Sequence, residues 1–462
     1  MKPDWRSHLL QLEELAHRLG LDWSPVIFEA VPDSFMTEIA VYGLPVRMPH
    51  WSFGARYIYQ LLQRHMGYSR LFEVVFPGNP GRAYLASSNA KADNILVAAH
   101  VLGHADFSKN NLLFQRSQTQ GSEHIIEHAA SHAREIERDI ESYGFEAVEK
   151  VLDAALSLEQ YIDLDRGLRR EPYPEYPADP TPVADDAFRS RFATLDAGGA
   201  VPHARRVRAP LPPHPERDLL WFIATYAPDM ESWERDIFLA VRAESFYFYP
   251  VYATQTMNEG WASYWHARLL READFIAQDT YLDAIKCHSD VVRPVAAEEQ
   301  IALAVNPYHL GFTLWEQIIE EGGVDAARHI MREDDDFSFL RNHLTRERAA
   351  DMGLFRFQKQ ANGPVKVLAE DIDELRETLL SEKYNFGAPR VSVAEVRSDG
   401  TLLLNHDSVI DKRGLDTERA RKVLGYIAHV WRRPVVLRTV DAAAKTIEIS
   451  VDPHAAAAGN RK

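Results

Sequence analysis

His100 and His104 stand four residues apart in Ala98-Ala99-His100-Val101-Leu102-Gly103-His104-Ala105-Asp106-Phe107. The apolar spacing predicts a helix starting near Ala90, so the two imidazoles share one face, a turn apart. That is the geometry by which H-E-x-x-H holds zinc, although Val101 occupies the position of its general-base glutamate. Ile95, Leu96, Val97 and Leu102 place the pair in an interior. The alternative is two buried histidines bonded to carbonyls. A second segment, Met257-Asn258-Glu259-Gly260-Trp261-Ala262-Ser263-Tyr264-Trp265-His266, sets Glu259, Ser263 and His266 on one helical stripe that Thr256 or Asn258 can cap. Gly260 and Ala262 would let another helix approach the carboxylate. Two histidines from one helix and a glutamate from a later one form the His₂Glu set of catalytic zinc, with the fourth position open. A solvated Glu259 fits less well, because Trp261, Tyr264 and Trp265 leave little face for water.

Glu244 interrupts the apolar stripe Ile237, Val241, Phe248, where a charge is expensive unless paired or ligating. It is read as a ligand, a general base or a salt-bridge partner. Pro250 is expected to end its helix just before the Glu259 helix begins, giving a helical hairpin. His124-Ile125-Ile126-Glu127-His128 matches the inverted motif H-x-x-E-H, and His132 extends the stripe. The charges beyond Ala133 suggest a half-exposed surface helix instead, with Glu127 able to turn inward. Cys287 lacks the surroundings of an activated thiol. Neither a G-x-S-x-G elbow, a P-loop nor a G-x-G-x-x-G fingerprint is present.

The elements that must position these residues are mostly helices. Apolar periodicity predicts them over 5–19, 54–65, 123–142 and 147–161, and throughout 218–383. Glu73–Phe76 and Arg82–Leu85, separated by Pro77-Gly78-Asn79-Pro80-Gly81, read as a hairpin. The expected organisation is a helical core over 1–387 with a proline-rich excursion at 171–215. A small α/β appendage follows at 388–453, and a frayed tail at 454–462. The fold class is therefore mainly α, or α+β. With 462 residues, 52 Lys+Arg against 68 Asp+Glu and a net charge of −16, the chain lacks the basic face that nucleic acid requires. One cysteine excludes a disulfide framework and suits a reducing compartment. With neither a signal core nor a long apolar run, a cytoplasmic protein without membrane insertion is expected.

Several segments occur in an order that resembles one family: Pro49-His50-Trp51-Ser52-Phe53-Gly54, the His100–Phe107 string, Lys109-Asn110-Asn111, the Asn258–His266 string, Asn306-Pro307-Tyr308, Leu310-Gly311-Phe312 and Ser338-Phe339-Leu340-Arg341-Asn342. The chain is similar to the stage V sporulation protein R (SpoVR-like) family from about Glu29 into the appendage. Ser108 departs from the second aromatic common there. The resemblance implies a cytoplasmic bacterial protein linked to spore cortex formation in spore formers. Members also occur in bacteria that do not sporulate, often encoded near a PrkA-type serine protein kinase, which implies a partner in that pathway. Glu259-Gly260-Trp261-Ala262 separately resembles the third-ligand helix of some gluzincin metallopeptidases. The expectation is a gluzincin-like core binding Zn²⁺ through His100, His104 and Glu259 and hydrolysing an amide of a peptide or cell-wall precursor, with Glu244 or His266 activating water. The alternatives are a noncatalytic sporulation or stress-response scaffold and a two-metal oxidase using Glu127, Glu244 and Glu259.

Overall fold

The computed structural model describes residues 5–57, 72–119, 124–166, 173–174, 210–292, 306–354, 357–358, 366–367, 371–383, 387–441 and 444–453. The second half of the 54–65 helix, most of the proline-rich excursion and the tail lie outside them. In chain order, α1 (Arg6–Arg18), β1 (Val26–Val31) and α2 (Asp33–Tyr42) precede β2 (Glu73–Phe76) and β3 (Gly81–Ala86). Then come α3 (Lys91–Asn110), α4 (Leu112–Thr119), α5 (Ile125–Tyr143), α6 (Phe145–Ser157) and α7 (Leu219–Tyr226). The long pair α8 (Ser232–Ala253) and α9 (Gln255–Glu272) leads into α10 (Gln278–Val292), α11 (Pro307–Glu333), α12 (Asp336–His343) and α13 (Arg346–Asp351). A short pair, β4 (Phe357–Gln358) and β5 (Lys366–Val367), precedes α14 (Ile372–Lys383).

The chain is mainly helical. α3 is apolar nearly all round, from Ile95 through Leu102 to Phe107, and is correspondingly buried on every face. α9 packs against it and against α11, with Trp261, Trp265 and Trp315 fully buried in the shared core. Glycines set this closeness. A Cβ on Gly260 would lie 2.2 Å from the Gly311 carbonyl carbon, one on Gly311 2.1 Å from the Thr256 oxygen, and one on Gly103 2.7 Å from the Ala262 Cα.

The hairpin expected at 73–85 forms, pairing β2 antiparallel to β3. A third strand completes the sheet in the order β1-β3-β2, with β1 parallel to β3. Nothing in the stretch before Trp51 marked β1, because its pairing partner lies some 55 positions on, at Val26↔Gly81. Pro250 does not end α8, which continues to Ala253. A proline cannot donate to the carbonyl four residues back. Here that carbonyl, on Phe246, accepts instead from the Ser117 hydroxyl at 2.7 Å.

Contacts divide the chain into two units. The first, 1–164 with 230–389, holds the helical core. The second, 165–229 with 390–462, joins the end of the excursion to a C-terminal α/β domain. Its strands β6 (Val391–Val396), β7 (Leu402–His406), β8 (Val435–Val440) and β9 (Thr446–Val451) line up in chain order, with β7 and β8 parallel. The helices α15 (Ser408–Asp411) and α16 (Thr417–Trp431) make the crossover. The excursion was expected to belong with the helical core. Its described end instead joins this domain: the Val396 N–H donates to the Leu211 carbonyl at 2.6 Å, and just past the excursion Glu216 exchanges two backbone hydrogen bonds with Val393 and Phe222 stacks on Trp431 at 6.2 Å.

Candidate metal centre

α3 carries His100 and His104 on the face turned to α9, which carries Glu259. The Nε2 atoms of both histidines lie 3.5 Å from Glu259 Oε2. One donor atom from each of the three lies within 4.8 Å of the others, the only such set of three or more His, Cys, Asp or Glu side chains among the described residues. Glu259 Oε2 is buried and has no hydrogen-bond partner among them. A carboxylate oxygen facing two imidazole nitrogens is a donor set of the kind that takes a divalent cation. The donor set therefore fits one such ion.

The other ring nitrogens are held from behind. His104 Nδ1 donates to Asn258 Oδ1 at 2.8 Å. His100 Nδ1 meets His266 Nδ1 at 2.9 Å, and His266 Nε2 meets His288 Nδ1 at 2.6 Å. If each proton in this chain points outward, toward His288, His100 Nε2 is left bare for a metal, as ligating histidines require. His266 is thus not positioned as a base. It is buried behind His100, and burial, then the neighbouring His100 and His288, hold its imidazole well below the ordinary range.

Glu73, on β2, was not singled out by sequence. Its Oε1 lies 4.0 Å from His100 Nε2. Burial pushes its carboxyl upward, with His100 and His104 opposing and Glu259 adding to the rise. Burial acts on Glu259 in the same direction, but His104 and His100 outweigh it and hold that carboxyl well below the usual range. Two carboxylates driven apart in this way can divide the roles of ionised ligand and proton acceptor. Tyr308 completes the site. The charge of Glu259, then burial and Glu73, push its phenol well above its usual range, so it stays a neutral donor. In the sequence it appeared only within the Asn306-Pro307-Tyr308 string of the family resemblance; in the structure Asn306 caps the helix that begins there, accepting from the Tyr308 N–H at 3.0 Å.

Glu244 stands elsewhere. It is fully buried, its Oε2 accepts from Arg47 Nε at 2.6 Å, and its Oε1 faces His132 Nδ1 at 4.0 Å. Of the three roles open to it, the salt bridge is the one formed. Glu127 is exposed and lies 3.8 Å from Arg82, and the His124 and His128 rings are 6.4 Å apart. These placements do not assemble the two-metal carboxylate site.

Neighbouring side chains lock the two helices that carry these three residues. Asp106, two residues past His104, accepts from Trp261 Nε1 at 2.8 Å, two residues past Glu259. Neither Thr256 nor Asn258 caps α9; the Asp336 carboxylate accepts from the Thr256 and Met257 N–H groups at 2.8 and 2.9 Å. Trp315 Nε1 reaches the Met257 carbonyl.

This buried two-helix site sits in a chain whose residues 5–388 match the family model described as SpoVR like protein. Residues 389–442 match the SpoVR-like C-terminal domain. The chain belongs to the SpoVR family. It is 29% identical over 486 residues to the uncharacterized protein YcgB of Escherichia coli (strain K12), covering 94% of this chain and 92% of that one. No solved structure matches it. Among the described residues no helix is long and apolar enough to cross a membrane.

Proposed function

We propose that this SpoVR protein is a gluzincin-like, metal-dependent hydrolase of an amide bond, with His100, His104 and Glu259 as ligands for one divalent cation, Zn²⁺ by the chemistry of the donor set. The observation that carries the reading is the convergence of buried Glu259 Oε2 with two Nε2 atoms at 3.5 Å, one donor atom from each side chain lying within 4.8 Å of the others. Bound there, the ion would supply Lewis-acid polarisation of a carbonyl and acidify a water. Glu73 takes the base role that Val101 cannot fill. Its Oε1 accepts a proton from water as the new C–O bond forms, then returns it to the amine nitrogen as the C–N bond breaks. Tyr308 donates a hydrogen bond to the carbonyl oxygen as charge gathers on it. Peptides and cell-wall precursors are the substrate classes to test.

Glu73→Gln separates this reading from a structural one. It should retain the metal and the fold while slowing amide hydrolysis by about 10²–10⁴-fold. Hydrolysis unchanged in the variant would remove Glu73 from the mechanism. A wild type that binds metal but cleaves none of these substrates would favour the noncatalytic sporulation or stress-response scaffold, to which the apolar, buried Val101 is suited.

A further inference from the structure

Histidines from three helices stand in line behind the candidate metal centre. His100 on α3 and His266 on α9 meet through their Nδ1 atoms at 2.9 Å, and His266 Nε2 meets His288 Nδ1, on α10, at 2.6 Å. His266 is buried, and both of its ring nitrogens are used in these contacts. His288 is half-buried, its ring T-shaped against His266 at 4.8 Å and Phe312 at 5.2 Å. The proposed hydrolysis gives His288 no role.

A neutral imidazole has one N–H and one bare nitrogen. A close pair of ring nitrogens needs one proton between them, since two protons would collide and none would leave two lone pairs facing each other. When the rings of His100, His266 and His288 are neutral, only two arrangements satisfy both gaps. In the inward one the protons sit on His100 Nε2, His266 Nδ1 and His288 Nδ1. In the outward one they sit on His100 Nδ1, His266 Nε2 and His288 Nε2. Every mixed arrangement leaves one gap with two protons or with none. The rings must therefore change together, and none changes its charge in doing so.

The two arrangements present opposite faces to the site. The inward one aims His100 Nε2–H at Glu259 Oε2, 3.5 Å away, with Glu73 Oε1 at 4.0 Å. A proton facing carboxylates is favoured there. The outward one turns a bare Nε2 to the same point, as a ligating histidine must.

We infer that His100, His266 and His288 form a two-state tautomer relay that couples occupancy of the metal centre to the position of the proton on His288. The relay rests on the proposed reading of the site, in which His100 Nε2 is a ligand. The metal-free chain holds the inward register and the loaded chain the outward one. His288 is thereby a positioning residue: whatever fixes its proton sets the fraction of chains ready to bind.

Nitrogen NMR of the full chain labelled at histidine, which distinguishes Nδ1–H from Nε2–H rings, tests the relay. His266 and His288 should both be Nδ1–H tautomers without metal and both Nε2–H tautomers once Zn²⁺ is added. Zn²⁺ uptake is followed separately by competition with a chelating dye. Uptake with no change of tautomer, or rings that change independently, would overturn the relay and leave the metal reading intact. Absence of uptake would overturn both.

The same dye measures variants whose folding is checked by thermal melting. His288→Asp sets an oxygen that can only accept opposite His266 Nε2 and so fixes the outward register. Its Zn²⁺ affinity should rise about tenfold, the gain expected where the ready form is about a tenth of the population. His288→Asn can donate or accept and should stay within about twofold of wild type. Ser289→Asp adds the same charge at the next, exposed position and should leave the affinity unchanged. Equal affinity in His288→Asp and wild type, or an equal rise in Ser289→Asp, would overturn the relay.

Discussion

At the scale of residues, the candidate ligands and their supports differ in how far they could be read ahead. His100 and His104 announce themselves by a spacing of four on an apolar helix, and Glu259 by a carboxylate among tryptophans. Glu73 gives no such sign. It is one glutamate at the start of a short strand, and only the β2–β3 pairing brings it to His100. Glu244 misled because burial alone does not distinguish a ligand from an ion pair; Arg47, almost 200 positions away, decides it. Asn258 was visible only as a capping candidate, yet it holds His104 Nδ1 at 2.8 Å. Asn258→Ala should therefore weaken metal affinity by about 10–100-fold, the usual cost of removing a ligand's outer partner. Competition against a chelating dye would measure it, and unchanged affinity would show that His104 needs no such support.

At the scale of elements, the site depends on how closely α3, α9 and α11 approach. The small residues Gly260 and Ala262 were readable as permission for that approach, but not which helices would use it. The structure assigns Gly260 to α11 and Ala262 to α3. The added methyl of Gly260→Ala would meet backbone, which cannot move aside as a flexible side chain can. Denaturant unfolding should show a loss of about 1–3 kcal/mol or more from overpacking. Gly425→Ala provides the contrast. It lies within α16, and a Cβ there meets nothing within 4 Å. That variant should be neutral or gain about 0.4–1 kcal/mol from reduced freedom of the unfolded chain. Equal losses at both positions would mean that close approach is not what Gly260 provides.

At the scale of the whole molecule, helix content and the C-terminal strands followed from periodicity and turn residues. The grouping of 165–229 with 390–462 did not. It rests on pairings such as Glu216 with Val393, across a proline-rich stretch that has no period of its own. A cut at 388 alone would strip the Glu216 backbone of its strand partner and Phe222 of Trp431. That truncation should yield aggregation-prone protein. A chain lacking 390–462 and with 165–229 replaced by a short linker should stay folded and keep its metal affinity. Equally well-behaved products from both cuts would show that the second unit is not built from the two segments together.

The central claim, that His100, His104 and Glu259 hold a metal, is tested most directly by the metal content of the full chain purified without a histidine tag. The wild type should carry about one zinc per chain and melt at a lower temperature once chelator is added. Glu259→Gln should carry almost none and melt at the same temperature with or without chelator. A metal-free wild type that ignores chelator, beside a Glu259→Gln variant destabilised by several kcal/mol, would contradict the account. It would make Glu259 half of a buried ion pair, whose loss costs about 3–5 kcal/mol whether or not metal is present.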